Sequence, residues 1–434
     1  MFTEVHDSFG ELFLFIPISS PGAHLHPHTM AAAVVACILA VWSAAAAAQS
    51  PPPLPVPTLN TALDAAWRLS AGQRSLFHRQ AALDARQQAA GGWLSAAPSV
   101  TLSQRSDRLH SNLGLRDYEA GLALPLWSPG VRAATADQVG ADQAVLRSEP
   151  HSSKLKLAGE LRDIAARAAG AALELVLAER KLAEAQLLVQ DTRRRVSSGD
   201  SPRIDTLQAS AAERQAAGQV SQAHGALAEL RGQWRGLTGL TQVATPDEAI
   251  PATSTDAGVN QPLVITAHAR VRAAQARLAL TEADRRDAPE LGVGITREKA
   301  LAGDVAHNAL RLSLRIPFGS IHRNAPRLAA ARAELDTAYA ELDATQRQVQ
   351  TDLALAREAL QAAQAAAVLA SERAEFSAQA QALVARSYHL GESDLPSRLR
   401  ADNERFDAEL AATRARANTQ RAIARLNQSS GILP

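Results

Sequence analysis

The chain has 434 residues, a formal net charge of +1, and only 4% aromatic residues within a hydrophobic fraction of 46%. A near-neutral balance with both signs interleaved gives no electrostatic footprint for a nucleic acid. One cysteine excludes a disulfide framework and a thiolate zinc site. Long windows rich in Ala, Leu, Glu, Arg and Gln predict extended helices.

In chain order, Met30–Ser50 comes first as MAAAVVACILAVWSAAAAAQS, an apolar run ending in small residues. Its length reads as a secretory h-region with cleavage after Ala48, so residues 1–48 are expected to be an upstream segment and signal peptide. A retained membrane anchor is the alternative reading of the same run. No Lys or Arg stands just ahead of it, and residues 1–29 read as an upstream extension of the frame. Cys37, and the histidines His24, His26 and His28, lie in this segment, so a mature chain has no cysteine. Residues 49–57 read as a Pro-rich linker.

Beyond it, three landmarks recur at one offset. Pro125, Gly199 and Gly239 are each followed 192 residues later by Pro317, Gly391 and Gly431 (317 − 125, 391 − 199, 431 − 239). A constant offset across separated points marks a tandem duplication. Repeat 1 is expected over 58–240, a linker over 241–261, and repeat 2 over 262–431.

Each repeat opens with a helix, roughly 58–95 and 262–287. Two alternating segments follow, about 98–106 and 118–125 in repeat 1, and about 289–297 and 309–317 in repeat 2. The run Leu310-Arg-Leu-Ser-Leu-Arg-Ile316 alternates with period two, which predicts a strand with one apolar and one polar face. After each closing proline a long helix is predicted, 131–196 and 325–389, spanning about 100 Å at 1.5 Å per residue. Each ends at its glycine landmark, and a return helix follows over about 202–238 and 394–428. Ser201 is expected to cap the first return helix with Pro202 at its first position, and Ser393 the second, with Pro396 in its first turn.

Four strands per chain cannot close a barrel, which needs about eight or more. Three chains would supply twelve. In such a barrel Leu310, Leu312, Leu314 and Ile316 face lipid while Arg311, Ser313 and Arg315 line a watery lumen. Trp93, Trp127 and Phe318 flank the strands, where they serve either as an interfacial belt or as core residues.

The segment LALPLWSPGVRAA after the first strand pair, with GDSPRIDTLQA and GESDLPSRLRA after the helix turns, resembles the TolC-like outer-membrane efflux channels. The resemblance covers essentially the whole mature chain. The family's tip motif is Gly, then Asp six on, Leu eight on and Ala ten on. Repeat 1 matches it with Gly199, Asp205, Leu207 and Ala209. Repeat 2 keeps Gly391, Leu399 and Ala401 but places Ser397 where the Asp belongs.

That resemblance implies a mainly α fold with a small β part. Long helical hairpins would form a periplasmic tunnel beneath a trimeric, twelve-stranded transmembrane barrel in outer-membrane lipid. It implies a homotrimer whose tips, at Gly199, Asp205, Leu207, Gly391, Ser397 and Leu399, meet a periplasmic adaptor bound to an inner-membrane RND-type pump. Conduction would be passive, with no cofactor and no catalytic residue. Family apertures carry an acidic ring from the second turn; here Arg398 and Arg400 stand near those positions, with Asp394 and Asp402 close by. The tip motif and compact loops resemble the heavy-metal-exporting (CzcC-like) branch more than the drug-exporting ones.

The plainer readings are a C-cap for Gly199 and Gly391 and a favourable helix-dipole contact for Asp205. His78, His110, His151, His224, His268, His307, His322 and His389 form no i,i+4 pair, so no metal site is expected. No nucleophile elbow, phosphate-cradling glycine loop or H-E-x-x-H spacing occurs, which argues against an enzyme. The competing reading is a periplasmic adaptor, expected to carry one hairpin rather than two; a structural coiled coil would leave the strands unexplained.

Overall fold

The computed structural model describes residues 57–251, 260–318 and 321–434, with the side chains of 321–323 left aside. The expected leader, its cleavage point, Cys37 and the three histidines before it lie outside the described residues.

The first expected helix is two. Helix α1 (Leu59–Leu69) and α2 (Ala71–Gly91) are divided at Ser70, whose extended backbone ends one while its side chain accepts from the Gln73 amide and caps the next. Ser is a preferred N-cap because its oxygen satisfies an orphan N–H of the first turn.

Two strands follow, β1 (Ser99–Ser106) and β2 (Arg116–Pro125), then α3 (Val131–Ser198) and α4 (Arg203–Thr238). The second repeat gives α5 (Pro262–Ala283), β3 (Glu290–Lys299), β4 (His307–Arg315), α6 (Ile321–Leu390) and α7 (Leu395–Ser429). At 68 and 70 residues, α3 and α6 are each about 100 Å long.

The strands form one antiparallel sheet in the order β1-β2-β3-β4, so the repeats join through β2 and β3. The helices follow the same order. Near the sheet, α2 packs on α3, α3 on α5 and α5 on α6; further along, α4 packs on α3, α3 on α7 and α7 on α6. Only α3 and α6 run through both parts. These seven helices of the described residues thus lie side by side as a wall.

A thin wall has seams in place of a central core. Leu59, Leu63 and Ala66 of α1 bury against Leu161 and Ala165 of α3 and against Trp234 of α4. Val264, Ala267 and Val271 meet Leu342 and Val349, which fixes α5 on α6. Ala356 and Leu360 meet Ala422, Ile423 and Leu426 between α6 and α7. Each seam mixes alanine with leucine, isoleucine or valine, and the small side chains let helix axes approach closely.

The α3–α7 junction, where the two repeats abut, is laced by ion pairs. Asp163 meets Arg421, Glu174 meets Arg414 at 2.9 Å, Arg180 meets Glu409, and Glu184 meets Arg405. The numbers rise on one helix as they fall on the other, as antiparallel packing requires. Deeper lies Arg162, 2% exposed, whose Nε and Nη2 donate to Glu248 at 2.9 and 2.7 Å. Its Nη1 donates to Gln428 at 2.8 Å, and Asn427 donates to the Ala249 carbonyl. This network staples the segment after α4 and the end of α7 onto α3. Nothing in the sequence pattern announced it, because its members stand 86 and 266 residues from Arg162.

Candidate functional site

Register decides which side chains share a face. Val100 pairs with Leu122, Leu122 with Val293, and Val293 with Leu312. In the same way Leu102 aligns with Ala120, Ile295 and Leu310, and Leu124 with Leu291 and Leu314. Partners across an antiparallel ladder lie on one side, so these residues form a continuous apolar face. That face is bare: Leu102, Leu310 and Leu312 are 77, 76 and 72% exposed.

The opposite face carries small and polar residues: Thr101 and Ser103, Glu119 and Gly121, Gly292, Gly294 and Thr296, then Arg311, Ser313 and Arg315. A Cβ at Gly292 would crowd the Ser313 hydroxyl oxygen, so the glycine leaves that side chain room in its present rotamer. Arg311 donates to Glu119 at 2.5 Å, and Arg315 lies 3.6 Å from Glu290. The sequence reading named the arginines and missed both carboxylates. Register arithmetic could have found Glu119, which is the repeat counterpart of Arg311.

The strand expected over about 309–317 is β4, His307–Arg315, so Ile316 lies one residue past it, 61% exposed. It precedes Pro317, which has no N–H to extend the ladder. Among the flanking aromatics, Trp127 donates from Nε1 to the Gly92 carbonyl at 2.9 Å and ties the end of α2 to the sheet. Trp93 and Phe318 are 92 and 93% exposed.

At the far end, Gly199 and Gly391 close α3 and α6 with φ of +85° and +81°. The following amides, Asp200 and Glu392, reach back to the carbonyls of Arg195 and Ser387 at 2.8 and 2.9 Å. These are Schellman closures, which favour glycine because a Cβ strains that conformation.

The two tips differ in how the return helix starts. Pro202 is itself the N-cap of α4, not its first residue, and supplies no side-chain bond; Asp205 provides the acidic group in the first turn. In repeat 2 the cap is Asp394, not Ser393, and its carboxylate accepts from the Ser397 amide at 3.0 Å. Asp394 is the counterpart of Pro202, and Ser397 of Asp205, so the carboxylate has moved three positions to the cap. Hydrogen bonds from Ser397, its hydroxyl first and its amide second, hold the Asp394 carboxyl below its ordinary range; Arg400 adds to this, and burial opposes it.

The two tips touch. Val189 and Ala209 of repeat 1 bury against Tyr388 and Leu395 of repeat 2, with Leu399 packed beside them. Arg195 donates to the Tyr388 carbonyl at 3.2 Å, its guanidinium lying 4.6 Å from the Tyr388 ring centre. Leu207 is 65% exposed. Arg398 is half-buried and bonded to Asp402 at 2.9 Å, and Asp402 also accepts from Gln381. Of the two arginines expected at an aperture, Arg400 alone is exposed.

No protein-family model matches the sequence, and no curated protein matches it. Solved structures do match. The outer-membrane channel OprN is 20% identical, with a TM-score of 0.70 over 86% of this chain and 90% of that one. The outer membrane protein VceC from Vibrio cholerae is 17% identical, at 0.67 over 86% and 96%. The open-state outer membrane channel MtrE from Neisseria gonorrhoeae is 17% identical, at 0.68 over 87% and 89%. Coverage of this kind takes in both repeats, the sheet and the helical wall together. The chain has the fold of the TolC-like outer-membrane channels.

Proposed function

We propose that the protein is the outer-membrane channel subunit of a tripartite efflux system, working as a homotrimer. The observation that carries this reading is a four-stranded sheet with two open edges and one bare apolar face, at the end of a wall about 100 Å long. Open strand edges and exposed apolar faces are costly in water. Three copies would pair each β1 with a neighbour's β4, close twelve strands and give the apolar face to lipid. Arg311, Ser313, Arg315 and Glu119 then line the lumen.

The helical wall continues the passage across the periplasm, and Gly199, Asp205, Leu207, Gly391, Ser397 and Leu399 mark the end that a periplasmic adaptor and an RND-type pump engage. Conduction is passive, with energy supplied by the pump. The cargo proposed is heavy-metal cations, on the likeness of the tip motif to the metal-exporting branch. Deletion in a native host, with growth scored on metal salts and on drugs, separates the two cargo classes. Detergent extraction from outer membranes tests the whole: a heat-modifiable trimer supports the reading, and a water-soluble monomer rejects it.

A further inference from the structure

The bare apolar face of the sheet stops before the strands do. Its last row toward the β1–β2 and β3–β4 connections is Leu102, Ala120, Ile295 and Leu310. The register carries the same face two rows further. Gln104, Tyr118, Arg297 and Asn308 come next, and Ser106, Arg116 and Lys299 come last. Charge at this end is sorted between the two faces of the sheet. The polar face has Arg105, Asp117, Glu298 and His307 in one row, so both signs are present. The face that continues the apolar rows has three cations, Arg116, Arg297 and Lys299, and no carboxylate.

These cations are crowded. Arg116 and Lys299 are direct partners across the β2–β3 ladder, with Cα atoms about 5 Å apart. Arg297 stands on the same face two residues along β3, about 7 Å away. Like charges directly opposite each other destabilise a sheet. Among the described residues no carboxylate pairs with any of the three. An anion from outside the chain would relieve the repulsion, and phosphate suits the groups present. A guanidinium grips phosphate through two parallel hydrogen bonds, and the lysine ammonium adds a point charge.

Position chooses the source of that phosphate. The cluster follows directly on the apolar rows, on the same side of the sheet. An anion carried on acyl chains satisfies both surfaces at once, whereas a free phosphate satisfies only the cations. Tyr118 is exposed between the two, at the height where an amphipathic ring bridges hydrocarbon and headgroup. We infer that Arg116, Arg297 and Lys299 form a binding site for the phosphate groups of lipid headgroups, with the acyl chains lying on Leu102, Ile295 and Leu310. The inference rests on the ring reading above, in which the apolar face meets lipid, and names the lipid chemistry that this face selects.

Native mass spectrometry of the full-length protein in detergent tests it. The probe is bisphosphorylated lipid A, compared with the same glycolipid stripped of its phosphates. The phosphorylated form is expected to be retained about tenfold more. The combined variant Arg116→Gln, Arg297→Gln, Lys299→Gln should retain the two lipids equally. Arg105→Gln, on the opposite face of the same strands, should leave the preference intact. Equal retention by the unsubstituted trimer, or an equal loss with Arg105→Gln, overturns the site and leaves the ring standing. Displacement of the lipid by an equal concentration of inorganic phosphate overturns the assignment to lipid. A chain that forms no trimer and takes up neither lipid overturns the ring reading together with the site.

Discussion

Glu119 and Arg311 hold equivalent positions in the two repeats, 192 residues apart, and face each other across β3 as an ion pair at 2.5 Å. Duplication alone would have placed identical residues there. The divergence to opposite charge puts a balanced pair on the polar face of the sheet where two like charges would have repelled. Both side chains are substantially exposed, and such a pair contributes about 0–1 kcal/mol. Its value is therefore expected in the lumen field and not in stability. Glu119→Gln should leave thermal stability within about 0.5 kcal/mol of the parent and shift ion selectivity toward anions in bilayer recordings, since Arg311 then stands uncompensated. Unchanged selectivity would place these groups off the conduction path.

The tip glycines give a second expectation. Gly199→Val and Gly391→Val meet no steric obstacle, because nothing lies within 4 Å of an added Cβ. The cost is conformational, about 1–2 kcal/mol for a left-handed β-branched residue. It falls on the turn that sets the entry of each return helix. Trimer yield should hold while export falls in a cell-based efflux assay; full export by both variants rejects a functional role for the turns.

The buried network around Arg162 should behave differently from the surface pairs. Removing Glu248 leaves a guanidinium 2% exposed without its carboxylate, and losses of about 3–5 kcal/mol attend such changes. Glu248→Ala is expected to lower the unfolding midpoint sharply, whereas replacing both members by methionine should recover most of the loss. Chemical denaturation of the detergent-solubilised protein reads both.

Acid should loosen one tip before the other. The folded Asp394 carboxyl titrates below its unfolded value, so its stabilising effect is complete above the unfolded pKa and is lost as pH falls through the folded one. Pro202, at the same place in repeat 1, has no such group. Hydrogen exchange at the start of α7 should rise on acidification below the ordinary carboxylate range, and Asp394→Asn, which keeps a cap without titrating, should remove that rise. A rise that persists in the Asn variant assigns it to other groups.

How much of this was legible in the sequence follows from the range of the interactions. The strand alternation and the glycine turns are local signals, with periods of two residues and one cap, and the matched prolines and glycines exposed the duplication. Ser70 and Asp394 were missed as caps because several nearby residues could have served, and only the backbone path chooses among them. Ile316 fits the alternation but not the ladder, which stops at Arg315 ahead of Pro317. Glu248, Gln428 and the α3–α7 ion pairs join residues far apart in sequence, so no local pattern records them. The contact of Arg195 with Tyr388 is equally invisible, because it depends on the two tips standing level.

Single-channel recording tests the central claim most directly. Full-length protein extracted from outer membranes and added to a planar lipid bilayer is predicted to give discrete, uniform conductance steps from a particle of three chains. A silent bilayer from a folded, correctly sized particle, or steps carried by a monomer, would contradict the account.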